Sequence, residues 1–126
     1  MHLVLIIEDN EKNLRLAQDL LEYGGFRTLS ARTATHGIAL AHEHLPDAIL
    51  MDIQLPDIDG VAALAQLRAD EHTRRIPVAA VTAFAMSSDR RRLLEAGFDS
   101  YFSKPIDIDR LIDDVRRLCE GANERI

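Results

Sequence analysis

The feature that most constrains the fold is an alternation along the chain between short apolar runs and segments with helical spacing. Three runs are apolar throughout, namely Leu3–Ile7, Ala48–Met51 and Pro77–Val81. Two further runs, Phe26–Ser30 and Ser100–Ser103, are less apolar. A strand that is apolar on both faces fits the middle of a parallel sheet with helices on each side. We therefore predict that the first three runs are central strands and that the two weaker runs lie near or at the edges.

A segment with apolar residues at helical spacing follows each predicted strand. The first stripe consists of Leu14, Ala17, Leu20 and Leu21 and is ended by Gly24 and Gly25. The second consists of Ala34, Ile38, Ala41 and Leu45 and is ended by Pro46. The third stripe consists of Val61, Leu64 and Leu67, and the fourth helical segment is Ser88–Ala96, closed by Gly97. The fifth stripe consists of Ile108, Leu111, Ile112, Val115 and Leu118. Repeated β-α units predict an α/β fold, with one five-stranded parallel sheet and helices on both of its faces.

Length and composition limit the class of protein. The 126 residues suffice for one domain, predicted over residues 1–119 with a tail at 120–126. The apolar runs are too short to span a bilayer, and the net charge of −6 argues against nucleic-acid binding. The single cysteine, Cys119, excludes an internal disulfide and fits the reducing cytoplasm.

Chemically active side chains follow four of the predicted strands. Glu8 and Asp9 come after the first strand, Asp52 ends the third, Thr82 ends the fourth and Lys104 follows the fifth. Because ligands of an open α/β sheet bind outside the carboxyl ends of its strands, we expect these five side chains to converge at one edge. Each residue alone also has a structural explanation, since acidic residues and threonine often cap helices and a lysine is often a solvated charge.

Three converging carboxylates repel one another by about 4 kcal/mol per pair at about 4 Å and an effective dielectric constant near 20. An all-oxygen set of this kind suits Mg²⁺, which allows Asp52 to stay ionised as a nucleophile. Thr82 can donate a hydrogen bond to a phosphoryl group, and Lys104 supplies a positive charge. The residues therefore point to metal-assisted phosphoryl transfer to an aspartate.

Four motifs resemble those of the response-regulator receiver domain of two-component signalling. They are Glu8-Asp9-Asn10, Asp52-Ile53-Gln54-Leu55-Pro56 with Asp59-Gly60, Val81-Thr82-Ala83 and Ser103-Lys104-Pro105. The resemblance runs from about Leu3 to Leu118 and implies the flavodoxin-like (βα)5 receiver fold. Met51–Leu55 and Val81–Met86 look most like single-domain cell-cycle (polar-differentiation) regulators and like receivers of hybrid histidine kinases.

The resemblance implies a role for each site residue. Asp52 would accept the phosphoryl group, and Asp9, Asp52 and the backbone carbonyl of Gln54 would bind Mg²⁺, with Glu8 acting through a metal-bound water. Lys104 would pair with a phosphoryl oxygen.

The remaining implied roles concern the switch and the lifetime of the phosphoryl group. Thr82 would hydrogen-bond a second phosphoryl oxygen, and Tyr101 would be the switch aromatic. In receivers that this chain resembles, the positions of Gln54 and Phe84 border the path of the hydrolytic water. An apolar Phe84 there predicts slow hydrolysis, while the small Ala83 leaves access for a partner histidine.

The predicted function is therefore a switch that takes a phosphoryl group from a sensor histidine kinase or a histidine phosphotransfer protein. Its product is its own modified state, so it differs from a conventional turnover enzyme. With no DNA-binding output domain expected, the signal would leave through a protein target on the face of the fourth helix, fifth strand and fifth helix.

Two alternatives remain at this stage. One is a phosphorelay intermediate, or a receiver cut from a hybrid kinase. The other is a nucleotide- or flavin-binding module, which the acidic, glycine-free stretch after the first strand disfavours.

Five histidines raise the separate question of a metal site. His42 and His44 stand two positions apart on a predicted helix and do not face each other, and His2, His36 and His72 show no ligand spacing. The spacing therefore favours solvated histidines over metal ligands or a phosphohistidine.

Overall fold

The computed structural model describes residues 2–83 and 87–121, except for the side chains of Ser87 and Ser88. Strands and helices alternate in the predicted order. Their bounds are β1 (Leu3–Ile7), α1 (Glu11–Tyr23), β2 (Arg27–Ala31), α2 (Ala34–His44), β3 (Ala48–Asp52), α3 (Gly60–Ala69), β4 (Val78–Thr82), α4 (Ser87–Glu95), β5 (Ser100–Ser103) and α5 (Leu111–Cys119).

The strands form one parallel sheet in the order β2-β1-β3-β4-β5. The predicted α/β fold is confirmed, and the two weaker runs are the edge strands. In the register, Asp52 stands opposite Val81, and Thr82 stands opposite Ser103. The carboxyl ends of β3, β4 and β5 are therefore level with one another.

Two hydrophobic cores lie on opposite faces of the sheet. One contains the buried residues of α2, α3 and α4, among them Leu64, Leu67 and Leu93. The other contains those of α1 and α5, such as Leu21 and Val115. In the described ranges 2–83 and 87–121, no helix has the length and apolar character needed to cross a membrane.

Polar caps start the three helices that leave the carboxyl ends of β1, β2 and β3. Asn10 Oδ1 accepts a hydrogen bond from the Asn13 N–H at 3.0 Å, Thr33 Oγ1 from the His36 N–H at 3.2 Å, and Asp59 Oδ1 from the Ala62 N–H at 3.0 Å. Asn10 is thus the cap that precedes α1. These caps fix the chain direction just beyond the sheet edge.

Three apolar residues predicted on buried helix stripes are exposed instead. Leu45 is 52% exposed because α2 ends at His44 and Leu45 turns into a left-handed conformation, with φ of 48°. Val61 is 39% exposed because the buried face of α3 falls on its small residues and on the two leucines of the stripe. Ile108 is 57% exposed because it lies in a turn before α5, which begins only at Leu111.

Helix α2 packs very close to β1 at Gly37. A Cβ atom built at this position would lie 2.3 Å from Cδ1 and 2.6 Å from Cγ1 of Ile7. Both residues belong to the fully buried part of the fold. The approach of the helix to the sheet therefore depends on a residue without a side chain.

Candidate functional site

The expected convergence of polar side chains at the carboxyl edge of the sheet is confirmed. Glu8 follows β1, Asp52 ends β3 and Lys104 follows β5. From β1 the chain passes to β2 on one side and later to β3 on the other, so the strand order reverses between β1 and β3. Such a reversal opens the crevice in which doubly wound proteins bind their ligands.

Lys104 joins the two most buried carboxylates of this edge. Its Nζ lies 2.9 Å from Glu8 Oε1 and 3.0 Å from Asp52 Oδ2. Glu8 is 5% exposed and Asp52 is 4% exposed. Burial alone would lower the pKa of Lys104, but its hydrogen bonds to Glu8 and Asp52 and their negative charges outweigh burial and raise the pKa. The ammonium group is therefore held in its charged form between the two carboxylates.

The Glu8 carboxyl group has a raised pKa. Burial is the largest cause, and the hydrogen bond and charge of neighbouring Asp52 add to it. Hydrogen bonds from the backbone N–H of Asn10, at 3.0 Å, and from Lys104 act in the opposite direction. Burial thus affects the pKa of Glu8 more than its pairing with Lys104 does.

Backbone contacts fix the two aspartates of the edge. Asp52 Oδ1 accepts a hydrogen bond from the Gln54 N–H at 3.0 Å, while Lys104 contacts the other oxygen, Oδ2. The backbone carbonyl of Asp9 accepts hydrogen bonds from Arg32, from Nε at 3.2 Å and from Nη2 at 2.9 Å. These contacts hold the loops that follow β3 and β1.

The donor set fits a hard divalent cation. Glu8, Asp9 and Asp52 each offer a carboxylate oxygen, and the three atoms lie within 4.8 Å of one another. Oxygen-only ligation by carboxylates is the chemistry that Mg²⁺ prefers. The three carboxylates and the one ammonium group leave two negative charges, which a divalent cation would neutralise.

The two predicted switch residues lie on β4 and β5. Thr82 is 3% exposed, and its backbone carbonyl accepts a hydrogen bond from the Lys104 N–H at 2.8 Å. Tyr101 is half-buried, and the guanidinium carbon of Arg90 lies 5.1 Å from the centre of its ring. Both Tyr101 and Arg90 line a groove of about 500 Å³ between α4, β5 and α5. Phe84 lies outside the described residues.

One residue that the sequence analysis did not single out, Asp57, ties the loop after Asp52 to α2. Its Oδ1 accepts a hydrogen bond from the Ala34 N–H at 2.9 Å, and its Oδ2 accepts from the N–H and hydroxyl of Thr35 at 2.8 Å and 2.6 Å. The partners stand more than twenty residues away in sequence, so no local pattern reveals the contact.

A parallel sheet with this acidic cluster and lysine at its carboxyl edge is the arrangement typical of phosphoryl-accepting receivers. Residues 4–116 match the sequence model of the response regulator receiver domain. The chain belongs to the response regulator receiver domain family.

Two relatives have nearly the same sequence length as this chain. The polar-differentiation response regulator DivK of Brucella ovis is 47% identical over 119 residues, which cover 94% of this chain and 97% of the relative. DivK of Brucella anthropi is 46% identical with the same coverage. The predicted similarity to polar-differentiation regulators is thus confirmed.

Two solved structures share the fold closely. The receiver domain of a sensor histidine kinase from Pseudomonas aeruginosa PAO1 has a TM-score of 0.86 and 34% identity, covers 94% of this chain and 98% of its own, and was crystallised with magnesium in its active-site cleft. A Francisella response regulator receiver domain has a TM-score of 0.89 and 27% identity, covering 97% and 99% of the two chains.

The protein is therefore a response regulator receiver domain, and it works as a phosphorylation-dependent signalling switch of two-component systems. Receiver domains take their phosphoryl group from histidine kinases or phosphotransfer proteins, and Mg²⁺ binding is typical of the family.

Proposed function

We propose that Asp52 is the residue that accepts the phosphoryl group from a phosphohistidine. The observation that carries this proposal is the Lys104 ammonium group, which lies 2.9 Å from Glu8 and 3.0 Å from Asp52. A carboxylate oxygen of Asp52 attacks phosphorus in line, the phosphorus–nitrogen bond breaks, and the imidazole leaves with the bonding electron pair and takes up a proton. The products are an aspartyl phosphate and a neutral histidine.

The ligands proposed for Mg²⁺ are the carboxylates of Asp9 and Asp52 and the backbone carbonyl of Gln54, with Glu8 acting through a metal-bound water. Support comes from the three carboxylate oxygens within 4.8 Å of one another. Bound Mg²⁺ would offset the negative charge that gathers on the phosphoryl oxygens. Lys104 acts on the same charge and can exchange a carboxylate partner for a phosphoryl oxygen.

The switch would begin with the new charge on Asp52. A phosphoryl group carries roughly −1.5 to −2 charges, and because the carboxylate loses its own charge when it is phosphorylated, the net gain is about −0.5 to −1. Lys104 and Thr82 respond by bonding to its oxygens, and the change passes along β4 and β5 to Tyr101. The proposed protein target then binds the face of α4, β5 and α5, which carries the groove beside Tyr101.

Four further expectations stay proposals. The receiver domain is proposed to span residues 1–119, and its place in the cell to be the cytoplasm. The partner upstream is proposed to be a sensor histidine kinase, a histidine phosphotransfer protein or both. Slow hydrolysis of the phosphoryl group rests on Phe84 and stays a prediction, because that residue lies outside the described part of the chain.

The test is phosphorylation by a small acyl-phosphate donor or by a phosphorylated kinase, measured as a mass increase of the intact protein. We expect labelling of wild type with Mg²⁺, and none after chelation or in Asp52→Asn. Asp59→Asn is the matched control, since it changes a nearby aspartate whose role as a helix cap asparagine can fill. A label that persists in Asp52→Asn, or that forms equally well with chelator, would contradict the proposal.

A further inference from the structure

Three side chains of types that can ligate a metal lie close together at the end of the sheet opposite Asp52. His42 lies near the end of α2, while Asp70 and His72 lie in the loop that joins α3 to β4. This end of α2 leads into the start of β3, and the loop leads into the start of β4. The cluster is therefore at the amino edge of the sheet, away from the acidic site.

A single carboxylate holds both imidazole rings. Asp70 Oδ2 lies 2.7 Å from His42 Nδ1, and Asp70 Oδ1 lies 3.2 Å from His72 Nδ1. The ring centres are 5.1 Å apart, and one ligand atom from each residue can be chosen so that all three lie within 4.8 Å. The side chains are 56%, 33% and 58% exposed for His42, Asp70 and His72, so an ion can reach them from solvent.

The loop that carries two of these residues is fixed by contacts of its own. The Thr73 hydroxyl is buried and donates a hydrogen bond to the Leu67 carbonyl at 2.7 Å. Arg68 on α3 donates to the carbonyls of Arg74 and Ile76 at 2.9 Å and 2.7 Å. Helices α2 and α3 also contact each other. The path of the loop backbone is thus held by contacts outside the cluster.

We propose that His42, Asp70 and His72 form a binding site for a divalent transition-metal ion of the zinc class. Two imidazole nitrogens and one carboxylate oxygen, with water in the fourth position, make up an open zinc coordination set. Zinc bonds of about 2.0–2.2 Å in a tetrahedron separate ligand atoms by about 3.3–3.6 Å. Small rotations of the exposed rings close the remaining distance, and the metal replaces the hydrogen-bonded protons between rings and carboxylate.

The nature of the donors separates this site from the acidic one. Imidazole nitrogen suits Zn²⁺, Ni²⁺ and Cu²⁺, whereas Mg²⁺ prefers oxygen ligands and binds imidazole poorly. Asp70 Oδ1 also accepts a hydrogen bond from the His72 N–H at 2.9 Å, which holds the carboxylate beside the two rings. Excess Mg²⁺ therefore occupies the acidic cluster and leaves the histidine site available.

A bound ion would join α2 to the α3–β4 loop. Because the site requires the folded arrangement of two separate segments, the ion binds the native state in preference to the unfolded chain. Free Zn²⁺ at about 100 times the dissociation constant should then raise the melting temperature by on the order of 5–10 °C.

The test is calorimetric titration of the full chain with ZnCl₂ in a buffer with excess Mg²⁺. We expect one Zn²⁺ per chain for wild type and at least tenfold weaker binding for the double variant His42→Gln, His72→Gln. His44→Gln is the matched control: it changes a histidine on the same helix, whose ring nitrogen lies 4.0 Å from Glu43 and outside the cluster. Circular dichroism checks that all variants fold.

A second measurement identifies the ligands directly. In spectra of the histidine ring protons, substoichiometric Zn²⁺ should shift the signals of His42 and His72 together and leave those of His44 and His36 in place. Binding as tight in the double variant as in wild type, equal loss in His44→Gln, or no saturable binding to wild type would each overturn the proposal and reduce the cluster to surface hydrogen bonds.

Discussion

At the scale of single residues, the Asp57 side chain joins the loop after Asp52 to helix α2. Hydrogen bonds from the Thr35 hydroxyl, then from the backbone N–H groups of Thr35 and Ala34, hold the pKa of Asp57 well below its usual range. A carboxyl group with a lowered folded-state pKa contributes stability above its unfolded value of 3.8, and this contribution is lost as the pH falls further.

We expect Asp57→Asn to speed amide exchange at Ala34 and Thr35 several-fold at neutral pH, because an asparagine oxygen can accept only part of these bonds. The difference in unfolding free energy between wild type and variant should shrink as the pH falls from about 5 to about 2. Exchange measured by NMR checks the first effect, and denaturation at each pH checks the second. Asp19→Asn, at an exposed residue of α1, is the control, and equal exchange in wild type and Asp57→Asn would contradict the role.

The same residues indicate which parts of the site a sequence can predict. Glu8, Asp52 and Lys104 each follow an apolar run, so strand direction alone brings them to one edge. Asp57 and His42 depend on contacts between elements that are far apart in sequence. Such contacts are set by how helices pack on the sheet, and neither spacing nor hydrophobic pattern contains that information.

At the scale of elements, Gly37 determines how closely α2 packs on β1. Alanine in place of a helix-interior glycine normally stabilises by about 0.5–1 kcal/mol. Here the added Cβ would overlap Ile7, so we expect Gly37→Ala to lower the unfolding free energy by about 1–3 kcal/mol. Urea denaturation measures the change.

The double variant Gly37→Ala, Ile7→Val tests the cause, because valine lacks the Cδ1 atom that lies nearest the new Cβ. The double variant should lose less unfolding free energy than the sum of the losses in the two single variants. A stabilising Gly37→Ala would show that the helix can move away from the strand without cost.

Arg68 connects α3 to the starts of β4 and β5. It donates to Asp99 Oδ2 at 2.9 Å and to the Gly97 carbonyl at 3.1 Å, and the same Asp99 oxygen accepts from the Val78 N–H at 2.8 Å. Asp99 is fully buried. Removal of the arginine would leave that carboxylate without its cationic partner from α3.

We therefore expect Arg68→Ala to cost about 3–5 kcal/mol of unfolding free energy, measured by urea denaturation. The exposed Arg75 is the control, and Arg75→Ala should change the value by no more than about 0.5 kcal/mol. Similar values for the two variants would mean that the buried ion pair contributes little.

Element boundaries also show the limit of the sequence pattern. The existence and order of all strands and helices were predictable, because apolar runs and stripes are several residues long. Leu45, Val61 and Ile108 were predicted as buried because each continues a helical stripe, yet all three are exposed. A stripe does not show where a helix ends, and the side chains at its ends depend on the cap or turn that the chain adopts there.

At the scale of the whole molecule, the proposed switch couples Asp52 to the surface around Tyr101. We expect Thr82→Ala and Lys104→Ala to weaken this coupling, since each removes a bond to the phosphoryl group, worth about 1.5–3 kcal/mol when charge-assisted. The measurement is the change in amide chemical shifts of Tyr101 and Phe102 on phosphorylation, which should become much smaller in both variants. Thr82→Ser keeps the hydroxyl and should behave like wild type. If phosphorylation shifts these signals as much in both alanine variants as in wild type, the mechanism is contradicted.

The ion pair between Lys104 and Glu8 joins two residues that are made at very different times during translation. Glu8 directly follows β1, whereas Lys104 directly follows β5. A nascent chain can therefore contain the proposed acceptor, Asp52, and most of the sheet while it still lacks Lys104. Before residue 104 is made, the two buried carboxylates therefore lack the cation that lies between them in the folded chain.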